Sequence, residues 1–220
     1  MLVYFITRFS IFDINYKGFI LTRNATSIEK YKSTLFSEKR LDYKFESFEK
    51  ITLPCIVNQT NSNYIWEIYA STYLPIKYKK RLLEITKKYK QIKIFLIDSF
   101  ENFNNSDKIN DKYCTVRLDD DDGLNINYVE IIQKYKHENN TIISFSYGKL
   151  FTINEGKNIY GKEVVEKNNA QGLCAIGMNI YDCGNHTKVG RKYKLIYDTT
   201  PFMYLLNCSV FCDTKRKFKN

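Results

Sequence analysis

An α/β domain built on a mostly parallel, Rossmann-like central sheet flanked by helices is the fold class this sequence predicts. Over the first 140 residues, short β-branched and aromatic runs alternate with segments of helical period, the pattern of strand-helix-strand units. A chain of 220 residues fits one domain of usual size, roughly 100 to 200 residues. Its 44% hydrophobic, 26% charged and 15% aromatic residues, with nine Gly and three Pro, exclude a disordered or collagenous chain.

Leu2 to Ile6 is the first expected strand, ending at Thr7 and Arg8. Asp13 to Arg40 mixes charge and aromatics without a clear period and reads as loop followed by irregular helix. A helix is expected near Phe45 to Ile51, broken at Pro54, since proline has no N–H to donate. Tyr64 to Ser71 is the second strand and carries the only tryptophan, Trp66. Pro75 suits the first position of a helix reaching Tyr89, with Ile76, Leu82, Leu83 and Ile85 as its apolar side. Ile92 to Ile97 and Tyr113 to Leu118 are further strands, and Ile126 to Lys136 is a helix with Val129, Ile131 and Ile132 inward. Beyond residue 140 the pattern changes to two short strands, Ile142 to Tyr147 and Lys149 to Ile153, with Gly148 as the turn between them.

The net charge is +10, from 34 Lys and Arg against 24 Asp and Glu. Such an excess raises nucleic acid or an anionic membrane as partner. Lysine supplies 27 of the 34, and arginine is the better marker of phosphate recognition because its planar fork bonds two oxygens at once. Charge concentrates in one helical segment, where Lys77, Lys79, Lys80, Arg81, Lys87, Lys88, Lys90 and Lys93 against Glu84 give +7. A basic helix face of this kind binds anionic lipid head groups, and a solvated lysine-rich face is the plain alternative. The apolar runs fall far below the ~20 residues of a bilayer-spanning helix, and no signal-peptide cleavage site follows Met1 to Ile6. The chain is therefore expected in the cytoplasm, with peripheral contact on the inner face of the membrane.

Six cysteines, at 55, 114, 174, 183, 208 and 212, include no CxxC pair. Cys183 with His186, then Cys208 with Cys212, has the ligand types and spacing of a structural zinc site, while buried cysteine as a small hydrophobe explains the same residues.

The chemistry concentrates at Asp119, Asp120, Asp121 and Asp122, which follow directly on a strand and precede Gly123 and a helix. In parallel sheets, ligands bind at the carboxyl ends of strands. Carboxylates crowded so closely raise one another's pKa unless a cation intervenes, so Mg2+ or Mn2+ is the expected companion, with open positions for phosphate oxygens. The alternative role of Asp at a helix start covers one or two such residues. Arg117 adds a fixed cation suited to a diphosphate, and Thr7 and Arg8 end the first strand at the same edge.

The run Arg117-Leu118-Asp119-Asp120-Asp121-Asp122-Gly123-Leu124 resembles the DxD segment of glycosyltransferases of the GT-A fold, in particular the putative rhamnosyltransferase family. Thr7-Arg8-Phe9-Ser10, Phe45-Glu46, Leu53-Pro54, Gln59 and Leu74-Pro75 with Tyr78 and Leu82 resemble that family's pattern over residues 1 to 150. The resemblance implies a single GT-A type nucleotide-diphospho-sugar transferase domain. Residues 1–140 would form the nucleotide-sugar half, 141–214 the acceptor side and 215–220 a basic tail. It implies a metal-dependent transfer of a sugar, rhamnose by the family's name, from a nucleotide diphosphate to a hydroxyl of a glycan or lipid-linked acceptor.

Carried onto this chain, Asp119 and Asp121 would bind the metal with Asp122 as a supporting acid, though Asp120 and Asp122 also make a DxD. Thr7, Arg8, Arg117, Asp119 and Asp120 would hold the donor. Gly184-Asn185-His186-Thr187-Lys188-Val189 resembles the family's late histidine segment, making His186 the remaining metal ligand. Gly172 to Gly177 resembles a small-residue loop near the acceptor, and Asn207-Cys208-Ser209 departs from the family's late segment. Glu163, Asp182 and Asp198 are the acids available as a base, with Asp182 preferred for its nearness in sequence to His186. Two other classes compete. A nucleic-acid binder would use the charge with Tyr78, Tyr89 and Phe95 but leaves the acid run unexplained, and a zinc-stapled module would unfold with a chelator.

Overall fold

The structure is a computed structural model that describes residues 1–15, 20–100, 112–154, 157–209 and 211. Strand β1 (Leu2–Phe9) is followed by helices α1 (Ile20–Arg23), α2 (Ile28–Leu35) and α3 (Glu38–Ser47), a π-helical turn (Phe48–Thr52) and α4 (Leu53–Val57). Strand β2 (Tyr64–Ser71), α5 (Ile76–Thr86), β3 (Ile92–Ile97) and β4 (Tyr113–Arg117) complete the first half. Then come β5 (Gly123–Leu124), α6 (Tyr128–Ile132), β6 (Thr141–Phe145), β7 (Tyr147–Asn154), β8 (Lys157–Val165), β9 (Cys174–Ile176), β10 (Lys194–Asp198) and β11 (Tyr204–Asn207).

Seven strands form the main sheet in the order β10-β6-β9-β4-β1-β2-β3. β1 runs parallel to β2 and β4, β2 to β3 and β6 to β10, while β9 is antiparallel to both β4 and β6. The expected mostly parallel sheet is therefore present, and it draws β6, β9 and β10 from beyond residue 140. Four short strands, β5-β11-β7-β8, make a second sheet.

Side chains alternate across a strand, and on β1 this separates two jobs. Val3, Phe5 and Phe9 pack with Phe45, Phe48, Trp66 and Ile68 in the core beneath the helices. Ile6 joins Tyr69, Ile97 and Ile11 on the opposite face. Thr7 belongs to the core side: it is fully buried, and its hydroxyl accepts the Trp66 indole N–H at 2.9 Å. The expected role of Thr7 at the ligand edge is thereby corrected, because its oxygen is engaged in satisfying the tryptophan.

The helix broken at Pro54 is another correction. Leu53 N–H donates to the carbonyl of Phe48, five residues back, so one wide turn carries α3 into α4 and Pro54 stands in the first turn of α4. Within Asp13 to Arg40, read from sequence as irregular, α2 is regular and capped by Ser27, whose hydroxyl accepts Lys30 N–H. On α5, Tyr78, Leu82 and Thr86 turn inward, whereas the expected core residues Ile76 and Leu83 are 66% and 49% exposed. Gly148 is not a turn. It lies within β7, where a Cβ would meet the Tyr204 ring at 2.1 Å, so glycine is there to admit that ring. β6 and β7 accordingly belong to different sheets instead of one hairpin.

Candidate active site

Arg8 near the end of β1 and Arg117 at the end of β4 project on the face opposite the helix-covered core, because the flanking Phe9, Val116 and Leu118 point into that core. Parallel pairing of Ile6 with Arg117 sets the two strand ends side by side. Asp119, two residues on, is shared between them. Arg8 Nη2 lies 3.8 Å from its Oδ1 and Arg117 Nη2 3.5 Å from its Oδ2. Gln171 clasps the same residue twice, donating from Nε2 to Oδ2 at 2.6 Å and accepting the Asp119 backbone N–H at 3.0 Å.

That loop is fixed by backbone pairing. Arg117 N–H donates to Leu173 O and Gly172 N–H to Arg117 O, both at 3.0 Å. Gly172 carries φ +68°, a left-handed conformation open to glycine at little cost, and this turn presents Gln171 to the acid. Tyr181 closes the floor. Its hydroxyl donates to Ile6 O, the Arg8 guanidinium lies 4.7 Å from its ring centroid and that of Arg117 5.9 Å. Buried Arg117 Nε has no hydrogen-bond partner among the described residues.

The other three acids turn away from this edge. Asp120 and Asp121 are buried, and one ammonium serves both: Lys44 Nζ lies 2.7 Å from Asp120 Oδ1 and 2.9 Å from Asp121 Oδ2. Asp122 Oδ1 accepts the backbone N–H of Asn207 at 2.7 Å. Gly123 enters β5 rather than a helix, and α6 starts only at Tyr128.

Burial works against ionisation of Asp119, yet Arg117, then Arg8, Gln171 and Lys44 outweigh it and hold its carboxyl well below the usual range. Burial raises the pKa of Asp120, opposed by Lys44 and reinforced by Asp121. Asp122 is pushed far up by burial and then by the charges of Asp121 and Asp119. His186 is lowered by burial and next by Arg117, with Asp119 pulling the other way and Arg8 adding to the lowering. The imidazole thus feels the charges of the Arg8, Arg117 and Asp119 cluster, which together with burial favour its neutral form.

Of the expected site residues, the fold gathers Arg8, Arg117, Asp119 and His186. Asp182 does not join them. It is exposed, and its charge falls on Tyr113, the first residue of the strand whose far end carries Arg117, and on Cys183. Asp198 closes a corner, accepting the Tyr135 hydroxyl at 2.7 Å and the Thr200 N–H at 2.7 Å. Glu163 is exposed and stands opposite Lys149 in the β7–β8 pairing.

The expected metal set Asp119, Asp121 and His186 is not assembled as a shell. A divalent ion would have to displace Lys44 from Asp121 or share Asp119 with two guanidiniums, and no group of three or more His, Cys, Asp or Glu side chains among the described residues is placed to hold an ion. The donor set as it stands does not fit one. The zinc reading fails as well for the described part: Cys183 packs with Ile142 and Leu173, Cys208 packs against the main core, and burial first raises both thiols to about 11. Cys212 and the basic tail 215–220 lie outside the described residues.

Lys44, Gln171, Tyr181 and Asn207 are site residues that sequence reasoning missed. Lys44 had a signal. Leu41, Lys44, Phe45 and Phe48 follow the i, i+3, i+4, i+7 spacing of a buried helix face, and a lysine there needs an anionic partner.

A family model described as "Putative rhamnosyl transferase" matches residues 3–220. No curated protein matches the chain in sequence. Among solved structures, S. aureus TarS 1–349 superposes with a TM-score of 0.53 at 8% identity, covering 94% of this chain and 60% of that one. The same fragment in complex with UDP-GlcNAc gives 0.54 at 9%, covering 95% and 59%, and TarS without stated truncation gives 0.54 at 10%, covering 95% and 37%. The chain thus spans about 60% or less of the lengths of these neighbours, and at such identity the likeness establishes the fold, the GT-A type.

Proposed function

Because the chain belongs to the putative rhamnosyl transferase family, whose model spans residues 3–220, we propose that it is a glycosyltransferase that takes a nucleotide-diphospho-sugar donor. One observation carries the reading. Two guanidiniums, Arg8 and Arg117, converge on Asp119 at the carboxyl ends of adjacent parallel strands, where the sheet geometry places ligands. A diphosphate offers acceptor oxygens for both, and arginine meets such oxygens with two parallel N–H bonds. The buried Nε of Arg117, without a partner among the described residues, would be a further donor for it.

Arg8 and Arg117 are assigned to the diphosphate and Asp119 to their alignment. His186, whose pKa burial and Arg117 lower, is assigned to a sugar hydroxyl beside them. A hexose or deoxyhexose, rhamnose by the family's description, would pass to a hydroxyl of a glycan or lipid-linked acceptor. The Mn2+ or Mg2+ that the acid run led us to expect is given no step here, since the acids present are matched by Lys44, Arg8 and Arg117.

Solved neighbours carry UDP-GlcNAc or UDP, so UDP is the first probe, followed by other nucleoside diphosphates. Calorimetric titration into the wild type and an Arg8→Ala, Arg117→Ala variant should give saturable binding that the double variant loses. A folded wild type that binds none of the panel removes the reading.

A second assignment concerns α5. Ile76, Lys80, Leu83 and Lys87 share one exposed face, apolar and basic in alternation, which suits an anionic lipid surface near a lipid-linked acceptor. The +7 of the segment is partly spent, since Lys77 pairs with Glu38, Arg81 with Glu49 and Lys87 with Glu84. Co-sedimentation with phosphatidylglycerol vesicles should fall with added salt and with Lys80→Glu; sedimentation indifferent to both would end the idea. No helix among the described residues is long and apolar enough to cross a membrane.

A further inference from the structure

Four consecutive acids form no metal-ligating group among the described residues, and α3 supplies a specific cause. We propose that the ammonium of Lys44 holds, permanently and from within the fold, the cation position of the Asp120 and Asp121 pair, so that the nucleoside diphosphate binds without a divalent ion. This deepens the glycosyltransferase reading and rests on it for the identity of the ligand.

Placement is the first support. Lys44 Nζ stands 2.7 Å from one carboxylate and 2.9 Å from the other, with side-chain exposures of 8% for the lysine and 5% and 6% for the acids. An ion coordinated by the same oxygens would sit at about 2.0 to 2.6 Å from each. It would then meet the ammonium at close range, and two cations in one buried site repel strongly.

The second support is the way α3 is fastened around the run. Tyr43 donates to Asn207 Oδ1 at 2.9 Å, Asn207 Nδ2 donates to Ser47 Oγ at 3.1 Å, and the Asn207 backbone N–H reaches Asp122. Tyr43, Lys44 and Ser47 lie along one stretch of α3, so helix, acid run and the end of β11 form one hydrogen-bonded unit. Lys44 is a positioned member of that unit, not a mobile surface lysine.

Charge is the third. Lys44 lies against Asp120 and Asp121, and Arg8 and Arg117 lie against Asp119. The two guanidiniums meet at Asp119, whose side chain is 30% exposed, while the ammonium neutralises the more deeply buried pair.

The test uses MnCl2 alone and UDP alone, each titrated by calorimetry into EDTA-treated wild type, Lys44→Met and Lys44→Arg, with circular dichroism on each variant. Wild type and Lys44→Arg should take up no Mn2+, and their UDP affinity should change less than about twofold with added MnCl2. Lys44→Met should gain Mn2+ binding and show UDP affinity that rises about tenfold with MnCl2. Stoichiometric Mn2+ binding by the wild type that Asp121→Asn abolishes would overturn the proposal. So would UDP binding by the wild type that appears only with Mn2+. If Lys44→Met does not fold, the wild-type arms and Lys44→Arg decide. If UDP and other nucleoside diphosphates fail to bind with or without Mn2+, the glycosyltransferase reading falls, while the MnCl2 titrations still judge Lys44.

Discussion

The backbone N–H of Asn207 donates to Asp122 Oδ1 over 2.7 Å, so the last strand of the second sheet is tied to the acid run that ends β4. The bond is buried, and Asn207 spreads it further through its side chain to Tyr43 and Ser47. Asp122→Ala should therefore cost about 1 to 3 kcal/mol, the penalty for leaving a buried N–H unpaired, seen as a lower midpoint in urea. Asp122→Asn, which keeps an acceptor oxygen and removes a disfavoured charge, should recover most of the loss.

Lys44→Ala should be among the most damaging single changes in stability. It strands Asp120 and Asp121 together without their shared cation, and breaking a buried pair on one side costs about 3 to 5 kcal/mol. Adding Asp120→Asn and Asp121→Asn should return a good part of it. Equal urea midpoints for the single and triple variants would contradict the electrostatic account.

Thr7→Val should lower stability by about 1 to 3 kcal/mol, because the Trp66 indole N–H loses its buried acceptor. Nucleotide affinity in the folded variant should be unchanged within about twofold. This separates Thr7 from its neighbour Arg8, where alanine should weaken a nucleoside diphosphate by about tenfold or more, in line with a lost charge-assisted hydrogen bond.

Asp198 supplies a pH dependence. Burial opposes its ionisation, but bonds from Lys134, Thr200 and Tyr135 lower its pKa below the ordinary 3.8. A carboxyl depressed in the folded state contributes stability that is full above the unfolded value and drains away as pH falls through the folded one. Thermal denaturation between about pH 5 and pH 2 should show this acid limb, and Asp198→Asn should flatten it.

Strands and their parallel order were legible wherever apolar runs were uninterrupted, as at Tyr64–Ser71 and Ile92–Ile97. The acid run was legible as a strand-end feature, and Arg8, Arg117 and Asp119 do meet there. What escaped was long-range pairing. Nothing local to Lys44 says that its partner Asp120 lies 76 residues away, and the Gln171 contact with Asp119 depends on a positive-φ glycine turn brought in by β9. Thr7 misled because strand alternation puts it and Arg8 on opposite faces, although both stand near the same strand end. Gly148 misled because glycine serves both turns and close approaches, and only the Tyr204 ring distinguishes them.

The placement of β9 between β4 and β6 has a consequence for how the chain is made. As it leaves the ribosome, β1 to β4 can pair as soon as Arg117 has emerged, but one edge of β4 then stays bare until Cys174–Ile176 is synthesised. During that interval the nascent chain presents unpaired backbone beside the forming site, the kind of edge that recruits other strands. Arg117 and Asp119 acquire Gln171 and Tyr181 only in the same late step. Closure of the β4 edge and arrival of Gln171 and Tyr181 at the arginines are thus one event in biosynthesis, and a ribosome stalled before residue 171 would hold a sheet without a working edge.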